Sequence, residues 1–427
     1  MSTRQQRIKL TTWTIPLTYV IVTLAVGMAI PRVEHHLFPN LVSTISAGAA
    51  MAICSSVSSG MIALTGIVFS LAFVMVQFSA TTYSPRLVLW VARDPVVSHS
   101  LGMFISTFLY SLILLAWVDR SDLGKVPMIS SYLVFLLLLA SMGMFIALIE
   151  RMRLLQVNRM LIFINDQGTT AINELYPAME SRSPNSETPK PRRMSVKQTL
   201  THIGRPQVIQ AVNVTELVKL AEQSDALIEI TAAVGDTVLE LTPLLRVYDT
   251  SEKLDEHALK GTLQIGGERT FEQDPKYAIR LIVDIAIKAL SPAINDPTTA
   301  VQALDHIEDL LLRLGRRPLE IGRYHDGQGE LRLTMPFPTW DDFLRLGLDE
   351  IRFCGATSVQ VMRRMKALIK NLLVVLPDER HVALRHWEER LQATIKRTFA
   401  DAEEKQDASV ADRQGLGIGQ ESLASAH

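Results

Sequence analysis

Hydrophobic residues are concentrated in the first 150 positions, where they form long apolar runs separated by short polar segments. Three runs, residues 13–30, 95–118 and 126–149, have the length of a helix that spans a bilayer. Another run, from residue 37 to 85, contains no Lys, Arg, Asp or Glu. If its central part, residues 41–79, is one helix, that helix is about 58 Å long, whereas a bilayer core is ~30 Å thick. The run therefore predicts either two spans joined by a tight turn, or one span that continues as a helix beyond the membrane.

The distribution of basic residues favours a single crossing, because cytoplasmic segments of membrane proteins carry an excess of Lys and Arg. With four spans, the N-terminus, the loop after the second span and the segment after the fourth share one side and hold eight basic residues, against three opposite. If the second apolar run crossed the membrane twice, this excess of basic residues on one side would disappear. We therefore predict four spans with both termini in the cytoplasm. The surplus of the second helix, roughly residues 41–56, is expected to project outside or to lie buried among its own copies.

Small and polar residues recur along the second helix at alternating steps of three and four, which is one seam of a helix that coils around neighbours. We call this line the small-residue seam: Ala49, Ala52, Ser56, Ser59, Ala63, Gly66, Ser70, Phe73 and Gln77. Small residues let membrane helices approach closely, so one interpretation is a tight helix contact. The other is that seams from several subunits line a narrow polar path. The pore-lining residues are then Ser56, Ser59, Ala63, Gly66, Ser70 and Gln77.

The rest of the chain has the pattern of a soluble protein. Residues 150–175 are helical in pattern, so residues 1–175 form a transmembrane domain with a helical extension. Residues 176–200 are rich in Pro and polar residues and predict a linker. Strand patterns followed by amphipathic helices predict a mixed α/β cytoplasmic domain over residues 201–400. Residues 401–427 lack periodicity and are expected to be disordered. The predicted fold class is thus an α-helical membrane protein followed by a mixed α/β domain.

The most distinctive soluble stretch is residues 270–300, TFEQDPKYAIRLIVDIAIKALSPAINDPTTA. It predicts two helices meeting at a tight corner, the second begun by Asp296 as N-cap and Pro297 as its first residue. One hypothesis is a site in which carboxylates bind a divalent cation through oxygen ligands. The alternative is helix capping and corner packing. The residues concerned are Asp274, Asp284 and Asp296 as metal ligands, and Arg280 and Asn295 as further binding residues.

The run ALSPAINDPTTA, preceded by Gln273-Asp274, resembles the signature of a bacterial family of predicted membrane proteins catalogued as domain of unknown function 2254. Phe69-Ser70, Gln77-Phe78 and Ser84-Pro85-Arg86 also match, and the resemblance covers residues 13–398. It implies four spans followed by a soluble domain, and a place in the bacterial inner (cell) membrane. It supplies no activity and no catalytic residue.

Composition narrows the function classes. The net charge of −1 and the lack of a basic stripe argue against nucleic acid as a partner. The two cysteines have no metal-ligand spacing, and no nucleophile or phosphate-loop motif is present, so we expect neither an enzyme nor a cofactor.

The favoured function is a homo-oligomeric passive pore or channel-like transporter with a cytoplasmic regulatory domain. The alternative is a membrane-anchored sensor or assembly scaffold whose cytoplasmic domain binds a ligand or partner. The expected partners are the lipid bilayer, further copies of the chain, and a small ligand or divalent cation at the cytoplasmic domain.

Overall fold

The computed structural model describes residues 14–37, 45–78, 95–120, 126–152, 156–177, 195–250 and 252–417. Contacts divide the chain into two compact units, Met1–Arg159 and Met160–His427. Some sequence predictions lie outside the described residues: the loop with Ser84-Pro85-Arg86, residues 178–194 of the linker, and residues 418–427 of the tail.

Four apolar helices of membrane-spanning length form the first unit, as the sequence predicted. They are α1 (Thr14–Leu37), α2 (Ala47–Phe78), α3 (Pro95–Arg120) and α4 (Met128–Met152). Helix α2 is continuous over 32 residues, or about 48 Å at ~1.5 Å per residue. The alternative of two spans joined by a tight turn is therefore wrong.

Helix α3 lies at the centre of the first unit and contacts the other three helices. Close approach is possible because Gly102 faces Tyr19 of α1, where an added Cβ would lie 2.6 Å from the ring. Hydroxyl groups add polar contacts, such as the 2.8 Å hydrogen bond between Thr107 and Ser141 of α4. The start of α2 also packs on α3, because Cys54 belongs to a buried cluster with Tyr110. That this part of α2 projects outside the membrane or lies among its own copies stays a prediction.

The second unit contains two β-sheets and a set of helices. The first sheet has the strand order β1-β5-β3-β8-β7 and the second has the order β4-β2-β6. All pairs are antiparallel except β3 with β8. The strands are β1 (Val196–Thr201), β2 (Gln207–Val212), β3 (Leu227–Ile230), β4 (Thr237–Val238), β5 (Pro243–Tyr248), β6 (Leu263–Gly266), β7 (Arg323–His325) and β8 (Leu331–Thr334). One cluster of buried residues is shared by both sheets, including Ile209, Ile228 and Leu245.

Helix α5 (Val157–Leu175) begins three residues before the second unit. The remaining helices are α6 (Val214–Gln223), α7 (Glu256–Gly261), α8 (Pro275–Ala289), α9 (Pro297–Gly315), α10 (Trp340–Cys354), α11 (Val359–Val375), α12 (His381–Thr398) and α13 (Ala402–Ser409). Helix α5 packs closely on α8 and α9, because Gly168 leaves room for Ala278 and Leu310. The predicted cap Asp296 accepts a backbone N–H bond at the start of α9, and Asn213 does the same at the start of α6.

Two segments of the second unit differ from the sequence prediction. Strand β1 lies within residues assigned to the linker, where it pairs with β5. Helix α13 lies within residues assigned to the disordered tail, and Asp401 caps it by accepting bonds from Glu403 N and Glu404 N. Both segments obtain their order from contacts with distant parts of the chain. Ala408 of α13, for example, is fully buried although its neighbours are polar.

Candidate functional site

The small-residue seam lies entirely on the exposed side of α2. All nine of its members are exposed in the single chain: Ala49, Ala52, Ser56, Ser59, Ala63, Gly66, Ser70, Phe73 and Gln77. The structure therefore places the six predicted pore-lining residues on one continuous line.

The other side of α2 is buried against its own chain. Ala50, Cys54, Met61, Val68 and Met75 are each at most 8% exposed. Ala50, Cys54, Met61 and Val68 belong to clusters that also contain buried residues of α3, such as Tyr110 and Phe104. The contacts that hold α2 in the first unit thus use the face opposite to the seam.

The glycines of α2 differ from those in the contacts between helices of the first unit. An added Cβ at Gly27 of α1 would lie 2.9 Å from Ile113, so that glycine makes room for a neighbour. At Gly60 and Gly66 an added Cβ would meet no atom within 4 Å. Glycine inside a helix costs roughly 0.5–1 kcal/mol relative to Ala. No contact among the described residues of the chain accounts for these two glycines.

Large apolar side chains flank the seam on both sides in the second half of α2. In the seven-residue repeat that puts the seam at positions a and d, the flanking positions e and g include Ile62, Ile67, Phe69 and Val74 in the second half of α2, whereas in the first half they include Gly48, Ser55 and Gly60. The exposed fractions of the four large apolar residues are 57%, 52%, 62% and 50%. In the second half of α2, the seam is thus a narrow band of small and polar residues between two apolar bands.

Glu34 is a buried carboxylate that the sequence analysis missed. The predicted first span ended at residue 30, which is wrong, since α1 continues to Leu37 and includes Glu34, whose exposed fraction is 3%. Its oxygens accept bonds from Ile129 N (2.8 Å), Ser130 N (3.1 Å) and Ser130 Oγ (2.9 Å). It therefore caps α4 from another helix. The sequence signal that could have indicated this cap is Pro127. It precedes α4, and its side chain has no acceptor for the first N–H groups of that helix.

The three carboxylates proposed as cation ligands each have their own partner. Asp274 accepts two bonds of 2.9 Å from Arg269, and Asp284 lies 2.8 Å from Arg280. Asp296 accepts bonds from Thr299 N and Oγ1, which cap α9. Among the described residues, no group of three or more His, Cys, Asp or Glu side chains is arranged to hold a metal ion. Cation binding at these residues stays a prediction without geometric support.

Of the other predicted binding residues, Arg280 lies within α8, where it pairs with Asp284, and Asn295 lies at the corner between α8 and α9. Arg280 also donates to Glu350 of α10 at 2.5 Å, so it connects two helices of the second unit. Asn295 is exposed and has a φ of 49°, the left-handed conformation that Asn tolerates better than most residues. Its backbone N–H donates to Ser291 O at 2.8 Å. Arg280 thus connects α8 to α10 and Asn295 shapes the corner, and binding by either residue stays a prediction.

Comparison with known proteins gives a family and relatives without a described activity. The family described as "Predicted membrane protein (DUF2254)" matches residues 9–371. Uncharacterized proteins of Mycobacterium bovis and Mycobacterium tuberculosis are each 28% identical over 414 residues, which is 92% of this chain and 78% of the relative. No solved structure matches the chain.

Proposed function

Since the chain belongs to the DUF2254 family of predicted membrane proteins, we propose that copies of it assemble through α2 and form a passive conduit across the bacterial inner membrane. The observation that carries this proposal is the exposure of the whole small-residue seam on a helix already held by its opposite face. Lipid tails do not require glycine, serine or glutamine. A close neighbour or a polar path does.

The chemistry of α2 favours a passive conduit over a coupled transporter. Helix α2 contains no Lys, Arg, Asp, Glu or His, whereas coupled transporters generally need an ionisable residue in the membrane. Glu34 is a buried carboxylate of the first unit, but its oxygens are engaged in capping α4. The seam offers hydroxyl and amide groups instead, which suit contact with water or a polar solute. The proposal includes no catalytic step.

The second unit is proposed to be cytoplasmic and regulatory. The excess of basic residues around the N-terminus and after α4 supports a cytoplasmic position for both termini. Helix α5 begins shortly after α4 along the chain and packs on α8 and α9. A change in the second unit would therefore reach the segment next to the last span. The alternative, a sensor or scaffold, shares the oligomer but lacks the conduit.

Disulfide cross-linking tests the assembly. In a chain carrying Cys54→Ser and Cys354→Ser, we expect Ser59→Cys to form a disulfide between copies in the membrane, because position 59 lies on the seam. Val68→Cys is the matched control, since Val68 is buried against its own chain. Cross-linking at neither position, with a chain that stays monomeric in detergent, would overturn the assembly.

Solute flux tests the conduit separately. Liposomes containing the purified oligomer should release a small trapped solute faster than protein-free liposomes. An oligomer that cross-links at position 59 but gives no flux of ions or neutral solutes contradicts the conduit and favours the scaffold alternative.

A further inference from the structure

Helices α8 to α12 pack on one another as a bundle in the second unit, and this bundle has two ends. At one end α8 turns into α9 and α10 finishes, because an added Cβ at Gly355, which follows α10, would lie 3.3 Å from Leu290 at the end of α8. At the other end α9 finishes beside the turn between α11 and α12, where an added Cβ at Gly315 would lie 2.5 Å from Leu376. Helix α10 has 15 residues, so it is about 22 Å long at ~1.5 Å per residue.

The end at which α8 turns into α9 exposes apolar side chains. Phe353, in the last turn of α10, is 74% exposed, and Ile294, between α8 and α9, is 44% exposed. Pro292 and Ala293, which precede Ile294, are exposed as well. We call these four residues the corner patch. Apolar side chains that are grouped on a surface mark a contact with another molecule more often than single exposed ones do.

The opposite end of the bundle exposes a second group of apolar side chains, at the turn between α11 and α12. Val374 is 84% exposed, Val382 is 80% exposed, and Val375 is exposed to a smaller extent. We call these three residues the hairpin patch. Helix α10 begins at this end, since Trp340 Nε1 donates to Arg380 O in the turn, and it finishes at the corner patch. The two patches are therefore about the length of α10 apart.

The charged residues beside the two patches differ in sign. Lys288 lies in the last turn of α8, next to the corner patch, and the nearby Asp296 carboxylate is engaged in capping α9. Beside the hairpin patch, Asp378 and Glu379 are exposed, whereas Arg380 donates to two backbone carbonyl oxygens of its own unit. A basic group thus accompanies one patch and acidic groups the other, and such groups attract each other across an interface.

We infer that the second units of neighbouring copies contact head to tail, with the corner patch of one copy on the hairpin patch of the next. A ring of identical subunits needs two different and complementary patches on every subunit, and the two ends of the bundle provide them. A partner that binds at a single site would need only one patch. The opposite charges beside the patches favour this pairing over contacts between identical ends.

The inference rests on the proposed assembly of copies through α2 and adds an interface to it. Copies that already touch in the membrane hold their second units at a high effective concentration. A contact between second units that is too weak to join free copies therefore forms within the assembly. A change in the second unit of one copy would then reach its neighbour directly.

Cross-linking of the full-length protein in membranes with a short bis-maleimide tests the direction of this contact. Cys354 is exposed beside Phe353 and supplies a thiol at the corner patch, and Val382→Cys supplies one at the hairpin patch. In a Cys54→Ser background, a chain with both thiols should form a ladder of linked chains. A chain with Cys354 alone, or with Val382→Cys and Cys354→Ser, should stay unlinked, because a head-to-tail contact does not bring two identical ends together.

Two matched controls accompany this experiment. Leu239→Cys places a thiol at an exposed apolar position outside the bundle, so a chain with this substitution and Cys354 should give no ladder. In the chain with both thiols, Phe353→Asp should lower the yield of the ladder about tenfold, because burial of an aromatic side chain contributes at least that much to affinity. Ile203→Asp, at a similarly exposed apolar position of the same unit, should leave the yield unchanged.

Three results would overturn the inference: no ladder from the chain with both thiols, dimers from either chain with one thiol, or an unchanged ladder in Phe353→Asp. Dimers would show a contact between identical ends instead. The disulfide at position 59 separates this failure from that of the proposed assembly. If that disulfide forms and the ladder does not, the head-to-tail contact is wrong and the assembly through α2 stands; if neither forms, both are wrong.

Discussion

At the scale of single residues, Glu34 shows how a buried charge can hold a membrane bundle together. A carboxylate is costly to bury unless hydrogen bonds compensate it. Here three donors at the start of α4 do so, two of them backbone N–H groups that a helix leaves unsatisfied at its first turn. The helix dipole adds favourable interaction. One side chain thus joins the end of α1 to the start of α4.

We expect Glu34→Gln to destabilise the first unit by about 1–3 kcal/mol, because the amide keeps one acceptor oxygen and loses the charge. Thermal unfolding of the full-length protein in detergent should show a lower midpoint. Hydrogen exchange should become faster at the amides of Ile129 and Ser130. His36→Ala, at an exposed position of the same helix, is the control. If Glu34→Gln and His36→Ala changed the unfolding midpoint and the hydrogen exchange equally, Glu34 would not be a specific cap of α4.

At the scale of elements, α2 has two faces with different partners. One face is buried by α3, and the opposite face presents the small-residue seam between apolar flanks. The two faces can therefore be altered independently. A substitution on the seam should leave the fold of the single chain intact, because nothing lies within 4 Å of a Cβ added at Gly66.

We predict that Gly66→Leu separates the oligomer into monomers, since a large side chain on the seam prevents close approach of two helices. The matched control is Gly143→Leu in α4, where an added Cβ also meets nothing within 4 Å but where no seam is present. Native mass spectrometry should report monomers for Gly66→Leu and wild-type oligomers for Gly143→Leu. An intact oligomer in both variants would show that α2 is not part of the interface between copies.

At the scale of the whole molecule, the two units are stabilised by different kinds of interaction. The first unit relies on helix packing and hydroxyl contacts, whereas the second contains many ion pairs. Hydrogen bonds from Arg332 lower the pKa of Asp326, and bonds from Thr339 lower the pKa of Asp342. A carboxyl whose pKa is lowered by folding stabilises the protein above its unfolded pKa. That contribution is lost as the pH falls through its folded pKa.

The second unit should therefore lose stability as the pH falls below about 4, the ordinary range of Asp. Asp326→Asn should lower the unfolding midpoint at pH 7, where the carboxylate is charged and bonded to Arg332. The difference from wild type should shrink as the pH falls and Asp326 is protonated. Circular dichroism melting of the full-length protein from pH 7 to 3 measures both effects. A difference that is constant across this range would mean that the charge has no role.

Local sequence determined the number and position of the spans, the continuous apolar character of α2, and the start of α9 at Asp296 and Pro297. These features depend on residues within one or two turns of each other, so composition, periodicity and capping preferences are enough to predict them. The order of the strands in two sheets was not predictable in this way. Residues of β1 and β5 that pair are about fifty positions apart, and no local pattern marks β1 as a strand.

The tertiary structure alone decided which face of α2 is covered and that Glu34 is buried. Glu34 and Ser130 are 96 residues apart, so the sequence around either residue carries no sign of the other. A seam can be recognised from its spacing, but its exposure depends on where α3 packs. Periodicity determines what a helix can bury, and only the contacts between distant segments determine what it does bury.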